Sequence, residues 1–230
     1  MRLPTRSGIH EIGHAVVALA TGVQVMRVEL FDGRKPEACP TTATGDGQSL
    51  GRTSIRSTPY DVKTPNREAE LKIAVAGFIA EYKARLISFG RRLHDWQMDR
   101  LRFWMLDLEF SDVALAVQSI DGLLGVGATD AHLEQREKTG HAHCESACDY
   151  CAFTDSIVKS VHYEIIAPSF DAIIRIARKL AKVRYMEGWQ IEAIYDQAVS
   201  KGAAPPRPVT VPILSEAGMR ILQETGSYSY

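Results

Sequence analysis

The segment His10-Glu11-Ile12-Gly13-His14, close to the N-terminus, constrains this chain more than any other. Histidines four residues apart on an α-helix lie on one face, one turn apart, so both imidazoles can reach the same metal ion. The next residues, 15–20, are small and apolar, which favours a buried helix. Thr5 is a typical start residue and Gly22 a typical stop, so the sequence predicts a helix over residues 5–21.

An H-E-x-x-H segment on a helix is typical of zinc hydrolases, in which the two histidines bind the metal. Glu11 is displaced around the helix to a position beside the metal, where it can take a proton from a metal-bound water. With 7 His in the chain, chance matches are expected on the order of 0.01 times per chain. The alternative is a surface helix in which these three side chains are solvated, and the apolar flanks argue against it. We therefore predict that His10 and His14 bind Zn²⁺ and that Glu11 is the catalytic base.

Composition and charge argue against several other classes of protein. The net charge of −1 gives no electrostatic basis for a nucleic-acid partner. No apolar run reaches the roughly 18 residues of a membrane span, and the N-terminus lacks the layout of a signal peptide. The four cysteines, three of them clustered, do not resemble a secreted disulfide framework. We therefore expect a cytoplasmic protein.

The periodicity of the apolar residues predicts a mainly α (α+β) fold with a small β element after the first helix. Two paired strands are expected, at 23–31 and 50–56. The expected helical segments lie at 67–88, 92–106, 111–120, 154–186 with a break at Pro168, and 190–200. Residues 121–152 are expected to be a loose insertion containing cysteines and histidines. Residues 1–203 would then form the domain, and the Pro-rich tail 204–230 would be partly disordered.

Four segments, in order along roughly residues 7–200, resemble the protease domain of the FtsH-type membrane-anchored, ATP-dependent zinc proteases. They are H-E-I-G-H-A-V-V-A (10–18), A-V-A-G-F-I-A-E (74–81), Ser111-Asp112-Val113 at a helix start, and L-A-K-V-R-Y-M-E-G-W-Q-I (180–191). The first and third are the specific ones. The second departs from the family pattern, because Phe78 stands where a second glycine is usual.

The resemblance implies a zinc metalloendopeptidase and assigns further residues. Asp112 would be the third zinc ligand, and Glu81 would lie close to the metal site and hold a ligand imidazole. From the sequence alone, Glu81 and Asp112 compete for the third position. Glu81 could also be an ordinary solvated helix residue, and Asp112 could be a helix N-cap.

The chain also departs from the family in what it lacks. It contains no G-x-x-x-x-G-K-[ST] loop and no membrane anchor, so we expect a protease domain without an ATPase. Its substrates would be peptides or unfolded proteins, with a separate ATPase partner as one option. A homo-oligomer is expected by analogy, because FtsH-like protease domains assemble as rings. Two alternatives stay open: a catalytically idle, metal-stabilised binding or regulatory module, and a different zinc peptidase with another third ligand.

The cysteine cluster is this chain's own feature, because the family has none at this place. Cys144, Cys148 and Cys151, together with His141 or His143, have a spacing that permits a second, structural zinc site. The alternative is separate buried or free thiols. A radical-SAM iron–sulfur site is excluded, because too few residues follow Cys151 to build the barrel. Histidines 94, 132 and 162 are expected to be surface or core residues.

Overall fold

The computed structural model describes residues 4–31, 51–55, 67–88, 111–139 and 149–208. This part is mainly helical with one small antiparallel sheet, which confirms the predicted mainly α (α+β) class. Its elements are α1 (Arg6–Ala20), β1 (Val25–Leu30), β2 (Gly51–Ile55), α2 (Arg67–Ser88), α3 (Ser111–Leu124), α4 (Ala128–Thr139), α5 (Asp149–Ser160), a π-helix (Val161–Ile166), α6 (Phe170–Val183), β3 (Tyr185–Glu187) and α7 (Gly188–Val199). None of the described helices is both long enough and apolar enough to cross a membrane.

Helix α1 carries the H-E-x-x-H segment through the centre of the fold. It begins after Thr5, whose side chain accepts a hydrogen bond from the backbone nitrogen of Gly8, 3.2 Å away. It ends before Gly22, which takes a left-handed φ of 81°. Every residue from 12 to 19 is buried, because α2, α6 and the sheet all pack against α1. The predicted buried helix is therefore confirmed.

Gly13, inside the motif, lets α1 and α2 cross closely. A Cβ atom at this position would lie 2.8 Å from the backbone oxygen of Ala76 and 2.8 Å from the Cβ of Ala80. Contacts this short cannot form, so any larger residue would push the two helices apart. The close crossing brings the α2 segment 73–81 directly against the two histidines.

The sheet has the strand order β2-β1-β3, and both pairings are antiparallel. The pairing of β2 with β1 was predicted, and in its register Val28 lies opposite Thr53. Strand β3 was not predicted, because three residues are too few to show a period of two. The turn at Arg184, with φ of 65°, ends α6 and directs the chain into β3, where Met186 pairs with Val28.

The prediction of a loose insertion over 121–152 is wrong for its described part, which contains all of α4 and the start of α5. Sequence reasoning missed α4 because its residues are polar on all sides and show no apolar period. The predictions for 92–106 and 209–230 lie outside the described residues. Residues 201–208 pack on α7, where the Tyr195 hydroxyl donates to the backbone oxygen of Pro205 over 2.7 Å.

Candidate metal centre

The two motif histidines point their Nε2 atoms at a common position. These atoms lie 3.0 Å apart, and the two rings meet edge to face with centroids 4.6 Å apart. Two imidazoles bound to one tetrahedral zinc ion at about 2.0–2.1 Å would have nitrogens about 3.3 Å apart. The observed pair is therefore within a few tenths of an ångström of a zinc-binding geometry.

The other ring nitrogens are held by acceptors on α2. His10 Nδ1 donates to Glu81 Oε1 over 2.8 Å, and His14 Nδ1 donates to the backbone oxygen of Ile73 over 2.6 Å. An acceptor at Nδ1 fixes the proton on that nitrogen and leaves the lone pair on Nε2. Both imidazoles are thus oriented as metal ligands usually are.

Glu81 is buried on α2, between His10 and the guanidinium of Arg6. Burial raises the pKa of the Glu81 carboxyl, but the hydrogen bonds and electrostatic attraction of His10 and Arg6 outweigh it, so the pKa lies below its ordinary value. The carboxylate is therefore ionised at neutral pH. One oxygen contacts His10 and the other contacts Arg6, so Glu81 lies on the far side of the imidazole from Nε2.

Strand β2 fixes the motif glutamate. The hydroxyl of Thr53 donates to Glu11 Oε2 over 2.7 Å and lies 2.8 Å from the Glu11 backbone oxygen. A Cβ atom at Gly51 would lie 2.6 Å from Glu11 Cγ and 2.9 Å from Oε1, so only glycine leaves room for this side chain. Sequence reasoning missed both residues, because it predicted the strand but not its position against α1.

Gly77 keeps space open in front of the two Nε2 atoms. A Cβ atom there would lie 2.5 Å from His14 Nε2 and 2.6 Å from His10 Nε2, in the region that a shared metal would occupy. The neighbouring Phe78 packs its ring edge to face on His10, with centroids 4.9 Å apart. The two Nε2 atoms are donors of the kind that zinc binds. Their orientation is held through the Nδ1 contacts, and Gly77 leaves space in front of them.

Asp112, the expected third ligand, is the second residue of α3, and α3 packs against α2. The structure describes its backbone but not its side chain. Among the described residues, no group of three histidine, cysteine or acidic side chains is close enough to hold a metal ion. The described part of the centre therefore contains two candidate ligands, His10 and His14.

The cysteine cluster is only partly described. Cys144, Cys148, His141 and His143 lie outside the described residues. Cys151, on α5, lies 4.0 Å from both ring nitrogens of His132 on α4. Sequence reasoning did not connect His132 with the cysteines, because α4 itself was not predicted.

No protein-family model matches the chain, and no curated protein is significantly similar to it.

Proposed function

We propose that this protein is a zinc-dependent metalloendopeptidase of the FtsH-like protease type, with no ATPase in this sequence. His10 and His14 bind Zn²⁺, Asp112 is the third ligand and Glu11 is the catalytic base. The observation that carries the proposal is the 3.0 Å approach of the two Nε2 atoms while both Nδ1 atoms are held by acceptors.

When bound, zinc supplies polarisation of a water molecule and of the substrate carbonyl. Glu11 would accept a proton from the attacking water and would pass it to the leaving amine. The Thr53 hydroxyl holds one carboxylate oxygen of Glu11, which fixes the direction in which the base acts. Gly51 keeps the space in which the Glu11 side chain lies.

Glu81 is assigned to orientation of His10 rather than to the metal. Both of its oxygens already have partners, Oε1 at His10 and Oε2 at Arg6. Binding zinc would require Glu81 to give up its contacts with His10 and Arg6. Asp112 therefore remains the better candidate for the third ligand.

Peptides or unfolded protein segments are the proposed substrates. Strand β2 is an edge of the sheet within the described residues, and its residue Thr53 contacts Glu11. An extended peptide paired with this edge would run past the base and would be held mainly by backbone hydrogen bonds. A homo-oligomer, a separate ATPase partner and a cytoplasmic location belong to the same proposal.

The test is a peptidase assay on zinc-loaded protein with Glu11→Gln. This variant keeps the size of the side chain and removes the base, so kcat should fall about 10²–10⁴-fold while zinc content stays unchanged. Glu134→Gln, an exposed change on α4, is the matched control and should leave kcat unchanged. Full activity in Glu11→Gln would refute the mechanism. A wild type that binds zinc but cleaves no peptide would favour the idle binding module.

A further inference from the structure

The face of α1 that carries the two motif histidines continues one turn towards the N-terminus. Arg6, His10 and His14 are spaced four residues apart, so their side chains lie roughly one above the other along the helix. Helix α2 runs antiparallel to this row. Its residue Ile73 contacts His14, whereas Glu81 contacts His10 and Arg6. The row that faces α2 therefore contains a third side chain, Arg6, to which the proposed mechanism gives no role.

Arg6 is the second partner of the carboxylate that orients His10. Its Nε donates to Glu81 Oε2, while Glu81 Oε1 accepts from His10 Nδ1 over 2.8 Å. The bond that sets the plane of a glutamate carboxylate rotates with little preference for one angle, so the side chain does not fix this plane by itself. Two partners on different oxygens do fix it. The direction in which Oε1 points at His10 therefore depends on Arg6.

The difference in burial between Arg6 and Glu81 makes this dependence one-sided. The Glu81 side chain is 10% exposed, whereas the Arg6 side chain is 59% exposed. An ion pair between two exposed side chains typically contributes little. Here the loss of Arg6 would leave a buried acceptor, Oε2, without this donor, and buried polar atoms rarely stay unpaired. The carboxylate would turn towards another donor or water and would move Oε1 away from His10.

We propose that Arg6 is a positioning residue of the candidate metal centre, which acts through Glu81 to hold the His10 imidazole with Nε2 facing His14. This role rests on the proposed zinc site, and it adds Arg6 to the residues that determine zinc affinity. His14 does not depend on Arg6, because its Nδ1 donates to the backbone oxygen of Ile73 over 2.6 Å. Loss of Arg6 should therefore affect one imidazole and leave the other in place.

Long-range ¹H–¹⁵N correlation spectra of the metal-free, full-length protein test this selectivity, because they show which ring nitrogen of each histidine carries the proton. At about pH 8, where an ordinary histidine is neutral, we expect His10 and His14 to be protonated at Nδ1 in wild type. In Arg6→Ala, His10 should change to a mixture of the two tautomers, whereas His14 should keep its Nδ1 proton. Arg6 is largely exposed, so its removal leaves no cavity in the core. Equal changes at both histidines would indicate general disruption and would overturn the proposal.

Zinc affinity, measured by competition with a chromophoric chelator, tests whether Arg6 acts through Glu81. Arg6→Ala should weaken zinc binding about 3–10-fold, which is less than the 10–100-fold typical of a direct partner of a metal ligand. Arg6→Lys keeps a positive charge and a donor, so it should recover part of this loss. Arg6→Ala combined with Glu81→Gln should bind zinc within about twofold of Glu81→Gln alone, because the second change removes the group through which the first one acts.

Arg27→Ala is the matched control for Arg6→Ala. Its arginine is 47% exposed and forms an ion pair with Glu29 on the sheet, so its removal should leave zinc affinity at the wild-type value. Normal zinc affinity in Arg6→Ala, additive losses from Arg6→Ala and Glu81→Gln, or an unchanged His10 spectrum would each overturn the proposal. Failure of the proposed function has a different signature. In that case the wild type binds no zinc or cleaves no peptide, and the spectra of the metal-free protein still show whether Arg6 orients His10.

Discussion

Gly77→Ala is the substitution for which the structure gives the sharpest expectation. The added methyl group would lie 2.5 Å from His14 Nε2, 2.6 Å from His10 Nε2 and 2.7 Å from His10 Cδ2. Retreat of α2 from α1 would open the close packing of the two helices at Gly13, Ala76 and Ala80. The two imidazoles must therefore turn away, and the space for a shared metal is lost.

The expected loss of zinc affinity follows from displacement of the two imidazoles. Disturbing the partners that orient a metal ligand typically weakens metal binding about 10–100-fold, and displacing both ligands should reach at least the upper value. A hundredfold loss corresponds to about 2.7 kcal/mol of binding free energy. The free energy of unfolding without metal should change less. Alanine stabilises a helix by about 1 kcal/mol relative to glycine, and this partly offsets one or two weakened Nδ1 hydrogen bonds worth about 0.5–3 kcal/mol each.

Zinc affinity is measured by competition with a chromophoric chelator, and the free energy of unfolding by urea titration of the metal-free protein. Gly122→Ala is the matched control, because it adds the same methyl group inside a helix where the nearest atom would be Arg67 Nε at 3.3 Å. We expect Gly122→Ala to keep wild-type zinc affinity. If Gly77→Ala also keeps it, the shared metal does not bind between the two Nε2 atoms and the reasoning fails.

Two further predictions concern the ligand assignment and pH. Asp112→Ala should abolish tight zinc binding, whereas Glu81→Gln should weaken it only about 10–100-fold. If Asp112→Ala keeps normal zinc affinity and Glu81→Gln loses it, Glu81 is the third ligand instead of Asp112. His162 is buried, and burial together with the charge of Lys83 lowers its pKa from 6.5 to about 4. The unfolded chain binds a proton at His162 more readily than the folded protein does, so the folded protein loses stability as the pH falls from about 6.5 towards 4. The free energy of unfolding at pH 4.5 should be about 2–3 kcal/mol lower than at pH 7. His162→Phe should remove most of this pH dependence in urea unfolding, and an unchanged pH dependence would contradict the role of His162.

The local part of the candidate centre could be predicted from the sequence. The spacing of His10 and His14 depends only on the helical repeat, and the first strand depends on its own alternating apolar residues. Helix α2 was predicted with the bounds that the structure gives it, Arg67–Ser88. These features are set by residues close together in the chain.

The tertiary part of the centre could not be predicted in this way. The acceptor for His14 Nδ1 is the backbone oxygen of Ile73. Every residue has a backbone oxygen, so the residue type does not show which one is the acceptor. The contact of Thr53 with Glu11 depends on how a strand crosses a helix 42 residues away in sequence. Strand β3 was not predicted because it is only three residues long, and helix α4 was not predicted because it lacks an apolar face.

The central claim is that a zinc ion binds between His10 and His14. Crystals of the zinc-loaded protein, measured on both sides of the zinc absorption edge, test it directly. We expect an anomalous peak about 2.0–2.1 Å from both Nε2 atoms, with a carboxylate oxygen of Asp112 at a similar distance. A fully loaded protein with no peak between these two nitrogens would contradict the account.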